Sequence, residues 1–74
     1  MNTREIRNYT ELKVGDLIKR HTGELGIVMC VDMGEVQVHL LQVPQNARMV
    51  GHVWYQSHVS IKNYWKRIIP QERT

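Results

Sequence analysis

Four histidines and one cysteine are the side chains of this 74-residue chain best suited to metal or nucleophilic chemistry. Imidazole nitrogens are common zinc ligands, and a thiolate is a nucleophile. The sequence has neither a Cys-x-x-Cys nor a His-Glu-x-x-His motif, and the spacing of the histidines follows no ligand pattern. We therefore predict surface histidines, no metal site and no cofactor; the histidines are His21, His39, His52 and His58.

A nucleophilic enzyme would need a serine or cysteine, a base and an orienting acid held together. Cys30 lies in an apolar run, so we expect a small buried side chain rather than a reactive thiol. Ser57 and Ser60 are near His58 only in sequence, and no catalytic motif surrounds them. The sequence thus predicts a protein that is not an enzyme.

Aromatic and basic residues supply the most suggestive pattern, because Trp, Tyr and Arg often anchor protein interfaces. We predict that a protein partner, or a second copy of this chain, contacts four rings: Trp54, Tyr55, Tyr64 and Trp65. Since the chain has no Phe, however, at least one Trp is expected in the core.

The alternative partner is nucleic acid, for which rings beside cations provide stacking and phosphate contacts. The residues predicted to bind it are Lys19, Arg20, Lys62, Lys66 and Arg67. This alternative requires Lys19, Arg20, Lys66 and Arg67 to converge on one side of the domain beside an exposed ring.

Length and composition indicate one small domain over residues 1–74, with its core at about 10–70 and loosely held termini at 1–9 and 71–74. The net charge of +3 is spread along the chain among interleaved acids. We find no apolar stretch long enough to span a bilayer and no apolar signal-peptide core, so we predict no membrane contact. A single cysteine fits a reducing compartment, and we expect a cytoplasmic protein.

Alternating apolar residues and glycine-bearing turns predict five strands and an all-β fold. The strands are Leu17–His21, Leu25–Asp32, Glu35–Gln42, His52–Gln56 and Lys66–Ile69. Residues 43–50 read as an irregular connection, and Ser60–Trp65 as a single helical turn capped by Ser60, before the last strand.

The second predicted strand is apolar on both of its faces. Alternation places Leu25, Ile27, Met29 and Val31 on one side and Gly26, Val28 and Cys30 on the other. An antiparallel strand with one wet face would alternate cleanly, so we expect this strand to be central, strongly bent, or covered on its second side by a loop or another subunit. Gly26 is expected at a bulge or corner where another backbone approaches closely.

The segments Val14–Ile18 and Gly23–Val28 resemble the opening of KOW-type modules and of short SH3-like bacteriophage proteins. In those modules a Gly-Asp pair enters the first strand, and two spaced glycines followed by Ile or Val close the turn. The resemblance implies a five-stranded SH3-like barrel. It further implies a phage-encoded accessory protein in the host cytoplasm, or a nucleic-acid-binding module.

Overall fold

Residues 2–69 are described by the structure, which is a computed structural model. Within them, six strands form one antiparallel sheet in the order β1-β6-β2-β3-β4-β5. A short helix, α1, precedes the last strand, and the sheet is not closed into a barrel. The elements are β1 (Thr3–Glu5), β2 (Leu17–Arg20), β3 (Leu25–Asp32), β4 (Glu35–Gln42), β5 (Val53–Ser57), α1 (His58–Tyr64) and β6 (Trp65–Ile68).

The β3–β4 hairpin has the predicted bounds at both strands. Strands β2, β5 and β6 are confirmed with ends that differ by one residue. The connection at 43–50 contains a 3-10 turn, Ala47–Met49, and the side chain of Asn46 caps it by accepting from the Arg48 N–H. The predicted tail, 71–74, lies outside the described residues.

The expectation of a loosely held segment at 1–9 is wrong for its described part. Thr3–Glu5 form β1, which pairs with β6, and Ile6 is buried in the core. A 3-10 turn follows at Tyr9–Glu11, and the side chain of Asn8 caps it. The amino-terminal segment is therefore held to the sheet by β6, the last strand within residues 2–69.

The predicted single helical turn is instead an α-helix of seven residues. It begins earlier because Ser57, rather than Ser60, is the N-cap: its hydroxyl accepts a hydrogen bond from the Ser60 N–H at 3.2 Å. Ile61 is fully buried on its inward side. The helix connects β5 to β6 and thus places the Ile61 side chain in the core over the sheet.

The sheet has an inner face that packs on the core and an outer face that does not. The core consists of ten buried apolar residues: Ile6, Leu12, Ile18, Val28, Val36, Val38, Leu40, Val43, Ile61 and Trp65. On β3 to β5 the inner positions Val28, Val38 and Trp54 are aligned by register, and Ile18 on β2 lies opposite Gly26. Arg20 on β2 nevertheless contacts Trp54 on β5, three strand positions away. Because a flat sheet would separate these strands by about 14 Å, the sheet must curve around the core.

Two register shifts interrupt the pairing of β3 with β4. One lies beside Gly26, as predicted for a bulge, and a Cβ there would overlap Cγ1 of Val38. The other leaves Met29 without a partner between Val28 and Cys30. Beyond this bulge the alternation is inverted, so the predicted buried position of Cys30 is wrong: its half-exposed thiol opposes Gln37 on the outer face.

Candidate interaction surfaces

The middle of the outer face is a row of three apolar residues and one histidine that crosses four strands and will be called the apolar row. Its members, Leu17, Ile27, His39 and Val53, are directly opposite one another in successive strand pairs. Leu17 and Val53 are 38% and 41% exposed, and Ile27 and His39 are half-buried. In most antiparallel sheets with one covered face, such a row would be polar. The second apolar side that the sequence predicts for β3 is therefore present and uncovered in the monomer.

Charged residues of opposite sign lie at the two ends of this outer face. At one end Lys66 and Lys19 are register partners, and Glu5 lies opposite Lys66. At the other end Asp32 and Glu35 are partners at the β3–β4 turn. The outer face therefore runs from a basic end, through an apolar middle, to an acidic end.

The four rings predicted to bind a partner do not share one surface. Trp65 is 2% exposed and belongs to the core, so its ring is not presented to a partner. Trp54 is half-buried on the inner face, whereas Tyr55, its neighbour on β5, is 63% exposed on the outer face opposite Gln37. Tyr64 ends α1 and is 46% exposed. On β5 the residues that lie on the outer face are Val53 and Tyr55, and neither Trp residue lies there.

A second candidate site surrounds Arg20 at the end of β2 and will be called the Arg20 cluster: Arg20, His21, Trp54 and Tyr64. The Cζ of Arg20 lies 6.0 Å from the Trp54 ring centroid and 5.6 Å from that of Tyr64. The rings of His21 and Tyr64 are 5.4 Å apart, and the His21 N–H donates to the Tyr64 carbonyl at 2.9 Å. Aromatic faces attract a guanidinium, so this cation is held between two rings.

The β2–β3 turn adds a buried carboxylate beside the Arg20 cluster. Glu24 is 6% exposed and accepts a hydrogen bond from the Thr22 hydroxyl. Burial alone would raise the pKa of Glu24. The hydrogen bonds from the Thr22 hydroxyl and from its own backbone, with the charges of Arg20 and His21, outweigh burial and lower this pKa below 4.5.

We expect Glu24 to make the fold acid-sensitive. Because its pKa is lower in the folded than in the unfolded chain, its stabilisation is complete well above pH 4.5. The stabilisation is lost as the pH falls through the folded pKa. Urea unfolding of the wild type at a series of pH values should show this loss, and Glu24→Gln should remove that part of the pH dependence. Thr22→Val should reduce it; an unaltered profile in both variants would contradict the assignment.

The cations predicted to bind nucleic acid are divided between surfaces. Lys19 and Lys66 lie on the outer face, whereas Arg67 opposes Ile18 on the inner face and Arg20 lies between two rings. Lys62 extends from α1 and lines a shallow depression with Lys66 and Arg7. These cations therefore form no single basic face.

The histidines lie in different places, and residues 2–69 contain no group of three potential metal ligands. His58, for example, is 6.0 Å from the Tyr9 ring, and His39 is in the outer apolar row. No helix within residues 2–69 has the length and hydrophobicity needed to cross a membrane.

Comparison with known proteins gives no matching family model, no similar curated protein and no similar solved structure.

Proposed function

We propose that this chain is a non-enzymatic interaction module that associates with a second copy of itself through the outer face. The apolar row Leu17, Ile27, His39 and Val53 is the observation that carries the proposal. Removing such a row from water is favourable by about 25 cal/mol for each Å² of apolar area. A chain of 74 residues also has a small core, and self-association is one of the few devices that add to its stability.

The charges on the outer face favour a second copy over an unrelated partner. A two-fold axis that lies in the contact plane and crosses the strands obliquely brings opposite ends of two outer faces together. The basic end, Lys19 and Lys66, then meets the acidic end, Asp32 and Glu35, and the apolar rows meet in the middle. Such a contact is self-complementary, as two-fold interfaces must be.

The dimensions of the outer face suit a weak dimer. Only β3 and β4 have eight residues, and the other four strands have three to five. At about 3.3 Å per residue and about 4.8 Å between strands, the six strands cover on the order of 500 Å². This area is at or below the lower end of what one partner buries in a specific complex. We therefore expect a dimer that dissociates on dilution.

Light scattering across a concentration series tests the proposal. The wild-type mass should rise towards twice the chain mass of 8.7 kDa. Val53→Lys, which places a charge in the apolar row, should weaken association by roughly 100-fold because the change occurs twice in each dimer. Val59→Lys is the matched control, since Val59 is 53% exposed on α1 and away from the outer face. A wild-type mass that stays at 8.7 kDa would contradict the proposal.

Charge reversal in the same assay tests the two-fold arrangement. Lys19→Glu and Glu35→Lys should each weaken association, because each places like charges against each other. Their combination in one chain restores opposite charges and should recover most of the wild-type affinity. Weakening without recovery would leave the outer face as the contact but exclude this axis.

Two finer expectations remain proposals. The SH3-like and KOW-type relationship rests on the first hairpin, where Gly15-Asp16 precedes β2 and Gly26 permits close strand approach. Nucleic-acid binding is the weaker functional proposal, because its predicted cations lie on more than one surface.

A further inference from the structure

Strand β5 leaves one backbone edge unpaired within the described residues. It is the last strand of the sheet and pairs only with β4. An unpaired edge presents alternate N–H and C=O groups, on which an extended segment can add as a further strand. Short length and charge are the usual protections of such an edge. β5, Val53–Ser57, carries no charged residue to discourage strand addition.

A shallow depression follows this edge and contains one cation. It is lined by Arg20, Val53, Trp54, Tyr55 and Gln56. A guanidinium has five N–H donors and no acceptor, so the donors that are unpaired within the chain determine which acceptor groups it can bind. In the described part of the chain, Nη1 of Arg20 donates to the Thr22 hydroxyl at a long 3.4 Å, and its buried Nε has no partner.

A carboxylate close to Arg20, that of Glu24, does not use these donors. Glu24 accepts from the Thr22 hydroxyl instead. The rings of Trp54 and Tyr64 hold the guanidinium in place, so little side-chain freedom would be lost when it binds a ligand. A planar carboxylate is the side-chain group that matches a guanidinium best, with two parallel hydrogen bonds.

We propose that the free edge of β5 binds an extended acidic segment of a partner protein, with one Asp or Glu side chain on Arg20. The segment adds to the sheet as a strand beyond β5, and its carboxylate enters the depression beside Trp54. The depression shares Val53 and Tyr55 with the rim of the outer face, whereas Arg20 and the unpaired backbone edge of β5 lie outside that face. Strand addition at this edge therefore does not require two copies to associate.

Fluorescence anisotropy with labelled peptides tests the proposal. The probe is acetyl-Thr-Val-Glu-Val-Thr-amide, and its matched control has Gln in place of Glu. We expect the Glu peptide to bind about tenfold tighter or more, because a charge-assisted pair replaces a neutral one. Arg20→Gln should abolish this preference, whereas Arg67→Gln, another half-buried arginine, should leave it intact.

Further measurements keep the test decisive. If Arg20→Gln does not fold, Arg20→Met keeps an unbranched side chain without the charge and its donors and should lose the preference. Strand addition should also slow amide exchange along β5. No binding of the Glu peptide at millimolar concentration, equal binding of both peptides, or a preference that survives Arg20→Met would overturn the proposal. Tighter binding of a labelled oligothymidylate that depends on Arg20 would overturn it in favour of nucleic acid.

Discussion

Gly26→Ala should lower the free energy of unfolding by about 3 kcal/mol, a large part of the roughly 4–11 kcal/mol expected for a chain of this length. The added Cβ would overlap Cγ1 of Val38 and lie 3.2 Å from the His39 carbonyl oxygen. Val38 is itself fully buried between β3 and β5, so it has little room to move. Urea denaturation followed by circular dichroism measures the loss, and Gly26→Val should not fold.

Gly15→Ala is the control for this prediction. A Cβ at Gly15 would meet nothing within 4 Å, but its φ of +96° is unfavourable for alanine. We therefore expect a loss of about 1–2 kcal/mol, from backbone strain alone. Equal losses at Gly15 and Gly26 would show that close packing between β3 and β4 is not what requires glycine at position 26.

Trp65→Ala should cost about 3–5 kcal/mol, enough to unfold much of the protein at room temperature. Trp65 is 2% exposed, is among the largest fully enclosed side chains, and donates its indole N–H towards Gln56 at 3.4 Å. Its removal would leave a cavity at the junction of α1 and β6 that no neighbour can fill. Thermal unfolding monitored by circular dichroism would report the loss.

Trp54→Ala provides the comparison within the same chain. Trp54 is half-buried, packs against the edge of the core and contacts Arg20. We expect a loss below about 2 kcal/mol, because less apolar area leaves the core. The remaining Trp65 should then emit at short wavelength, as an indole shielded from water does. A larger loss at Trp54 than at Trp65 would reverse the assignment of the two rings.

The central strands could be predicted because their signals are local. β3 and β4 alternate over eight residues and are separated by Met33-Gly34, so pattern and turn agree. β1 carries no such signal: Thr3, Arg4 and Glu5 are polar and exposed, and they form a strand only because β6 supplies their hydrogen-bond partners. The helix was underpredicted because Ser57 and Ser60 are both acceptable caps.

The candidate site depended on features that alternation does not contain. Period-two reasoning placed Cys30 on the side of Val28 and Val31 on the side of Ile27. The Met29 bulge exchanges them, so that Val31 packs against the core opposite Val36. The sequence did indicate that β3 has a second apolar side. It could not show which residues of β2 and β5 complete that side, because their alignment is set by register across four strands.

The order of the strands also bears on how the chain reaches its native state. Strands β2 to β5 neighbour one another in sequence and in space, so they can form a meander through short loop closures. The pairs β2–β6 and β1–β6 join residues that are far apart in the sequence. The chain must lose the entropy of closing these long loops before the contacts between the strands stabilise the fold. We expect the strands that carry most of the outer face to assemble early. Docking of the two terminal strands would then set the folding rate.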